Sequence, residues 1–214
     1  MRVLLVYPET PDTFWSYTHV VRMVSRKSAY PPLGLLTVAA MLPRHWELRL
    51  VDLNVEPLTD AQLGWADYVM LSAMIVHKDS VAEIVRRCRA LGRPVIAGGP
   101  LFTGEYHNFP EIDTFVLNEG EITFPQFLSD LNSGKPVNRV YQTAEYADIR
   151  TSPLPDLSIV EMNKYECMSI QFSRGCPFHC DFCNVTALLG HVPRIKSVEQ
   201  IISELQQRYA GYFS

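Results

Sequence analysis

Residues 68–100 read YVMLSAMIVHKDSVAEIVRRCRALGRPVIAGGP, and this stretch decides the fold class. Tyr68 to Met74 is an apolar run with little polar interruption, the pattern of a strand covered on both faces. Asp79 or Ser80 then caps a helix, and Val81, Ile84, Val85, Cys88 and Leu91 form one apolar stripe at helical spacing. Gly92 and Pro94 end it. Val95 to Ala97 is the next strand, running into Gly98-Gly99-Pro100. Strand, helix and strand in this order make a parallel pair joined by a right-handed crossover.

The same alternation extends to both sides. Val3 to Tyr7 is a first strand, Leu48 to Leu53 a second and Phe115 to Leu117 a fifth. Tyr30-Pro-Pro opens a helix from Leu33 to Leu42 that Pro43 stops, since proline fits a first helical turn. A last helix puts Phe124, Phe127, Leu128 and Leu131 on one face, and Gly134 closes it. The expected fold class is α/β, a five-stranded flavodoxin-like or Rossmann-like parallel sheet over residues 1–133. Ligands of such sheets sit outside the carboxyl ends of the strands. Here those ends are residues 8–30, Ser72 to His77, Gly98 to Thr103 and Asn118 to Glu121. The first is long enough to be a functional loop.

Residues 134–166 hold Pro136, Pro153 and Pro155 and one β-like run, Arg139 to Thr143, and read as a linker with a small hairpin. From Cys167 the pattern restarts. A strand covers Cys167 to Phe172, a loop follows, and Ser197 with Gln200 forms a capping box ahead of Ile201, Ile202, Leu205 and Tyr209.

Composition removes several function classes. The chain has 214 residues, 47% of them apolar, 20% charged, and a formal net charge of −4. That suits a globular core rather than a disordered chain. Neither the charge nor any run of Lys or Arg suggests a nucleic-acid partner. No run of 18 apolar residues is present, so no helical membrane span is expected. The first apolar run is too short for a signal-peptide core, which makes the cytoplasm the expected compartment and reduced thiols the expected state.

The chemistry concentrates in Ser173-Arg-Gly-Cys-Pro-Phe-His-Cys-Asp-Phe-Cys-Asn184. Three of the five cysteines, Cys176, Cys180 and Cys183, fall within eight residues. Thiolates are soft ligands suited to iron–sulfur clusters or zinc. Three ligands on a four-iron cluster leave one iron open for a substrate or cofactor. The alternative is a structural zinc held by the same thiolates and His179 or His191. That alternative makes the chain a non-catalytic Rossmann-like binding module with a zinc-stabilised tail. Cys88 and Cys167 read as core thiols. His19 and His77 lie in strand-end loops and read as solvated; Arg174 and Arg194 read as solvated too, with contact to the anionic parts of a bound cofactor or cluster as the alternative. Asp52 fits a turn as well as a ligand contact. Glu119 and Glu121 could form an acid/base pair, although Glu121 also suits a helix N-terminus. Phe14, Trp15 and Tyr17 in the long first loop fit a ligand face as well as a core.

At these cysteines, with Phe182 before the third, the sequence resembles the radical S-adenosylmethionine superfamily. The resemblance implies a [4Fe–4S] cluster on Cys176, Cys180 and Cys183. It also implies that S-adenosylmethionine chelates the open iron, with Phe182 near its adenine. Reductive cleavage would then yield a radical that abstracts hydrogen from a small-molecule substrate, in methylation or cyclisation, with a flavodoxin or ferredoxin as electron donor. The first half resembles the cobalamin-binding domain that precedes the barrel in one subclass. Carried over by position, Ser72, Gly98, Gly99, Pro100, Glu119 and Gly120 would line the cofactor face. Many cobalamin domains carry Asp-x-His-x-x-Gly after the first strand. Residues 8–30 hold only His19, followed by Val-Val-Arg, so cobalt would take no histidine from that motif. The resemblance makes residues 167–214 the first strand, loop and helix of a (β/α) barrel. A whole barrel takes roughly 200 residues, so the chain is expected to be the N-terminal part of a longer enzyme, inactive by itself.

Overall fold

A computed structural model describes residues 1–13 and 16–212; the side chains of residues 18, 19, 22 and 208–212 lie outside the described set. Phe14, Trp15 and the ring of His19, named above, therefore fall outside it.

The central sheet is built from β1 (Arg2–Tyr7), β2 (Glu47–Asp52), β3 (Tyr68–Ser72), β4 (Val95–Gly98), β5 (Thr114–Val116) and β6 (Val140–Tyr141). Their order is β2-β1-β3-β4-β5-β6, and every neighbouring pair is parallel. The first five strands keep the flavodoxin-like order, with its switch point between β1 and β3. The sixth corrects the expected hairpin. Residues 139–143 extend the sheet, because the N–H groups of Phe115 and Leu117 donate to the carbonyls of Arg139 and Tyr141. A β-like run beside an unpaired strand edge pairs with it.

Helices cover both faces. Between β1 and β2 lie α1 (Thr18–Met23) and α2 (Leu33–Ala39); α3 (Asp60–Trp65) follows β2. The remaining crossovers carry α4 (Lys78–Ala90), α5 (Pro100–Glu105) and α6 (Gly120–Asn132). One core packs Leu63, Ile84, Cys88, Leu101 and Phe102 on Leu4, Val69, Val95 and Phe115. The other packs Leu35, Trp46, Phe124 and Phe127 on Val3, Leu5, Met70 and Ile96. Alternate strand residues thus face opposite helix layers, as a pleated strand covered twice requires. Cys88 is fully buried as expected, and burial pushes its thiol up to about 12.

Local differences have local causes. α4 begins at Lys78, with His77 at its N-cap and no side-chain cap. Ser80 instead accepts the Glu9 N–H at 2.9 Å and ties the first loop down. The Thr59–Gln62 capping box of α3 is a legible signal that the sequence reading passed over.

Beyond the sheet, β7 (Ser173–Arg174) pairs antiparallel with β8 (Arg194–Ile195). Between them lies α7 (Val185–Leu189), and α8 (Val198–Tyr212) follows. The Ser197–Gln200 capping box forms as expected. Cys167 to Phe172 forms no ladder, and Cys167 is exposed rather than buried. A barrel strand is fixed by its neighbours, and the described residues supply none beside this segment. It runs instead from a docking point on residues 28 and 29, where the Glu166 and Cys167 N–H groups donate to the Ser28 and Ala29 carbonyls.

Candidate functional site

The carboxyl ends of β3, β4 and β5 open into a cavity of about 350 Å³. All six residues assigned to the cofactor face line it: Ser72, Gly98, Gly99, Pro100, Glu119 and Gly120. Two of the glycines are demanded by the chain itself. A Cβ on Gly98 would stand 2.7 Å from the Val116 carbonyl oxygen. Gly99 has φ +92, and its Cβ would meet Ser72 Oγ at 2.8 Å. The pair lets β4 turn tightly between β3 and β5. That turn places both glycines in the lining of the cavity.

The roof comes from the segment after residue 167. Gln171, Arg174, Leu188 and Leu189 close over the floor. The cysteine segment therefore lies beside the strand ends rather than apart from them. Asn118 and Thr103, which fall within the strand ends expected to face a ligand but were not singled out there, also line the cavity. Asn118 has φ +63, its N–H donates to Thr103 Oγ1 at 3.0 Å, and its Oδ1 accepts from Thr143 N–H at 3.3 Å.

The Glu119-Gly120-Glu121 turn holds the roof. Arg194 donates Nη2 to Glu119 Oε1 at 2.5 Å and Nη1 to Oε2 at 2.7 Å. The Ala147 N–H adds a third bond, to Oε2, at 2.7 Å. Arg174 donates Nη2 and Nη1 to the two oxygens of Glu121 at 2.7 and 2.9 Å, and Ser152 Oγ donates to Oε1. Burial alone would raise the Glu121 carboxyl, but the hydrogen bonds and charge of Arg174, with Ser152, hold it down at about 2. The two arginines are thus buried ion-pair partners rather than solvated side chains, and the two glutamates are anchors rather than an acid/base pair. Charges flanking the cysteine loop opposite a Glu-Gly-Glu turn were the available signal.

A second buried set lies at the ends of β1 and β2. Asp52 accepts from Tyr165 Oη at 3.0 Å and from Asn54 N–H at 2.9 Å, so it serves as a turn residue and as an anchor for the linker. Burial raises its carboxyl despite these bonds. His77 is fully buried rather than solvated: Nδ1 accepts from Met74 N–H, Nε2 lies 3.1 Å from Thr10 Oγ1, and burial lowers its basicity.

The three thiols share the loop after β7. Cys176 and Cys183 are half-buried and Cys180 is exposed. Among the described residues no three metal-ligating side chains converge on one point. The donor set nonetheless suits a cluster in number and softness. His179 and His191 face each other at 4.3 Å between ring centroids. Phe182 is 91% exposed and stands away from the cavity. Tyr17 is exposed too. For a corrin, the test is floor, volume and ligand. The floor is present. The volume is at the small end for ordinary ligand pockets of roughly 300–1,000 Å³, so a corrin would extend through the open mouth. No described cavity residue is a histidine, so cobalt there would take no imidazole from the cavity wall.

A family model described as the B12 binding domain matches residues 19–128. An uncharacterized methyltransferase of Synechocystis sp. is 43% identical over 98% of this chain and 39% of its own length. The hopanoid C-2 methylase of Rhodopseudomonas palustris is 34% identical over 96% of the chain and 40% of its own. The anaerobic magnesium-protoporphyrin IX monomethyl ester cyclase of Synechocystis sp. is 29% identical over 86% of the chain and 42% of its own. The chain spans about two fifths of the length of these relatives. No described helix is long and apolar enough to cross a membrane. The chain belongs to the B12-binding domain family.

Proposed function

We propose that the chain binds cobalamin at the strand ends and a [4Fe–4S] cluster on Cys176, Cys180 and Cys183, as part of an enzyme that methylates or cyclises a small organic substrate. One observation supports the reading: residues on both sides of the thiol loop, Gln171, Arg174, Leu188 and Leu189, line the same cavity as the six strand-end residues expected to face the cofactor. Reductive one-electron cleavage of S-adenosylmethionine is the chemistry a cluster supplies when bound. The protein's share is to hold the cofactors in register and exclude water. Ser72, Gly98, Gly99, Pro100 and Gly120 form the face on which a planar ligand rests. Leu188 and Leu189 cover it with apolar surface. The exposed ring of Phe182, next to Cys183, is the candidate for stacking on an adenine. A small electron carrier, a flavodoxin or ferredoxin, would dock at the exposed face of the loop in a reducing, cytoplasmic setting. The methylase, methyltransferase and cyclase names of the relatives support this class of reaction.

The test is iron and acid-labile sulfide per chain after anaerobic reconstitution. Near four of each is the expected result, with loss of most of both in Cys180→Ala. One zinc per chain without sulfide would overturn the cluster reading in favour of a zinc-stabilised binding module.

A further inference from the structure

The β7–β8 ribbon carries a conflict within itself. Its register pairs Arg174 with Arg194, so two arginines are direct cross-strand neighbours. Like charges in that position push strands apart. Both strands are only two residues long, so their ladder cannot outweigh the repulsion. The balancing charges come from elsewhere in the chain. Glu121 takes Arg174 in a bidentate pair and Glu119 takes Arg194 in another. The side chains are 3% (Glu119), 8% (Glu121), 11% (Arg174) and 18% (Arg194) exposed, so solvent does not screen these pairs as it screens surface ones. Arg174 also lies 3.6 Å from Glu119, which makes the four groups one network.

The ribbon is what closes the thiol loop. The Cys176 N–H donates to the Gly190 carbonyl, and the Lys196 N–H to the Phe172 carbonyl. Gly175 between ribbon and thiols has φ +88, and a Cβ there would stand 2.5 Å from the Val192 carbonyl oxygen. The entry to the loop from Cys176 to Cys183 is thus tied to the ribbon.

We infer that Glu119 and Glu121 are positioning residues for the thiol loop. The turn that lines the cofactor cavity neutralises the two arginines, closes the ribbon and so presents Cys176, Cys180 and Cys183 beside the cavity. The purpose of that closure rests on the cluster reading above; the closure itself does not.

The test is amide hydrogen exchange on the whole 214-residue chain, read at Cys176 and Lys196, with iron per chain read on the same proteins. Glu121→Gln leaves the arginine repulsion uncompensated. It is expected to speed exchange at both amides about tenfold, the scale of a buried group losing its partner, and to lower the iron loaded. Exchange in β1, β3 and β4 stays as it was. Adding Arg174→Met to Glu121→Gln removes the repulsion and is expected to slow both amides again and recover iron. A merely structural role predicts the opposite, a double variant looser than the single. Unchanged exchange in Glu121→Gln, or a faster double variant, overturns the inference. A wild-type chain that loads no iron yet shows this exchange pattern would overturn the cluster reading alone.

Discussion

Glu119→Ala lowers the free energy of unfolding by about 3–5 kcal/mol, the cost of removing one partner from a buried ion pair. Glu119 is 4% exposed and accepts three hydrogen bonds, two from Arg194 and one from the Ala147 N–H. Its loss leaves a guanidinium enclosed beneath Tyr146, whose ring lies 5.0 Å from it, with only the Ala147 and Leu189 carbonyls as partners. It also frees the Ala147 N–H within a buried site. Urea unfolding measures the effect as a lower midpoint. A change under about 1 kcal/mol, the range of an exposed pair, would show that this network is solvated and that the roof is not anchored through it.

Acid is expected to release the roof before it loosens the sheet. The Glu121 carboxyl is held at about 2 in the folded chain against an ordinary 4.5. A carboxyl lowered by folding adds stability that is fully present above its unfolded value and is lost as pH falls toward the folded one. The window therefore runs from about pH 4.5 down to about pH 2. The stability at stake is about 3 kcal/mol, by the conversion of pKa difference to free energy. Asp52 acts in the other direction. Its carboxyl is raised by burial, so protonation relieves a cost and the Tyr165 tie outlasts the Glu121 tie. Unfolding measured from pH 5 to pH 2.5 should show stability falling, with the slope much reduced in Glu121→Gln. A flat profile in the wild-type chain would contradict the pairing with Arg174.

The sheet domain was legible because its signals are local. The Val81–Ile84–Val85–Cys88 stripe is fixed by helical periodicity, and Gly98-Gly99-Pro100 by turn sterics, before any tertiary contact forms. The six residues expected at a cofactor face came together in one cavity for the same reason, since they sit at successive strand ends of one sheet. The pairing of Arg174 with Glu121 and of Arg194 with Glu119 was missed because contacts at sequence separations of 53 and 75 leave no periodic trace, although the place of Glu121 in the first turn of α6 was legible. His77 was misread because burial of a loop histidine depends on Tyr7, which packs edge-on at 5.1 Å, and on Thr10, both far off in sequence. The Arg139–Thr143 run was seen as extended but given the wrong partner. Two-residue β6 has too little pattern to choose between a hairpin and a sheet edge. Cys167 to Phe172 has a strand's composition, and composition cannot create the neighbouring strand that a ladder needs.

The most direct test of the central claim, that the strand-end cavity is a cofactor face, is gel filtration of the chain with hydroxocobalamin. The account predicts that the corrin co-elutes with the protein with shifted visible bands. It also predicts that Gly120→Phe, which fills the cavity from the start of α6 where only Val38 stands near, abolishes co-elution without unfolding the sheet. A corrin that elutes free of the wild-type chain, or binds Gly120→Phe equally well, would contradict it.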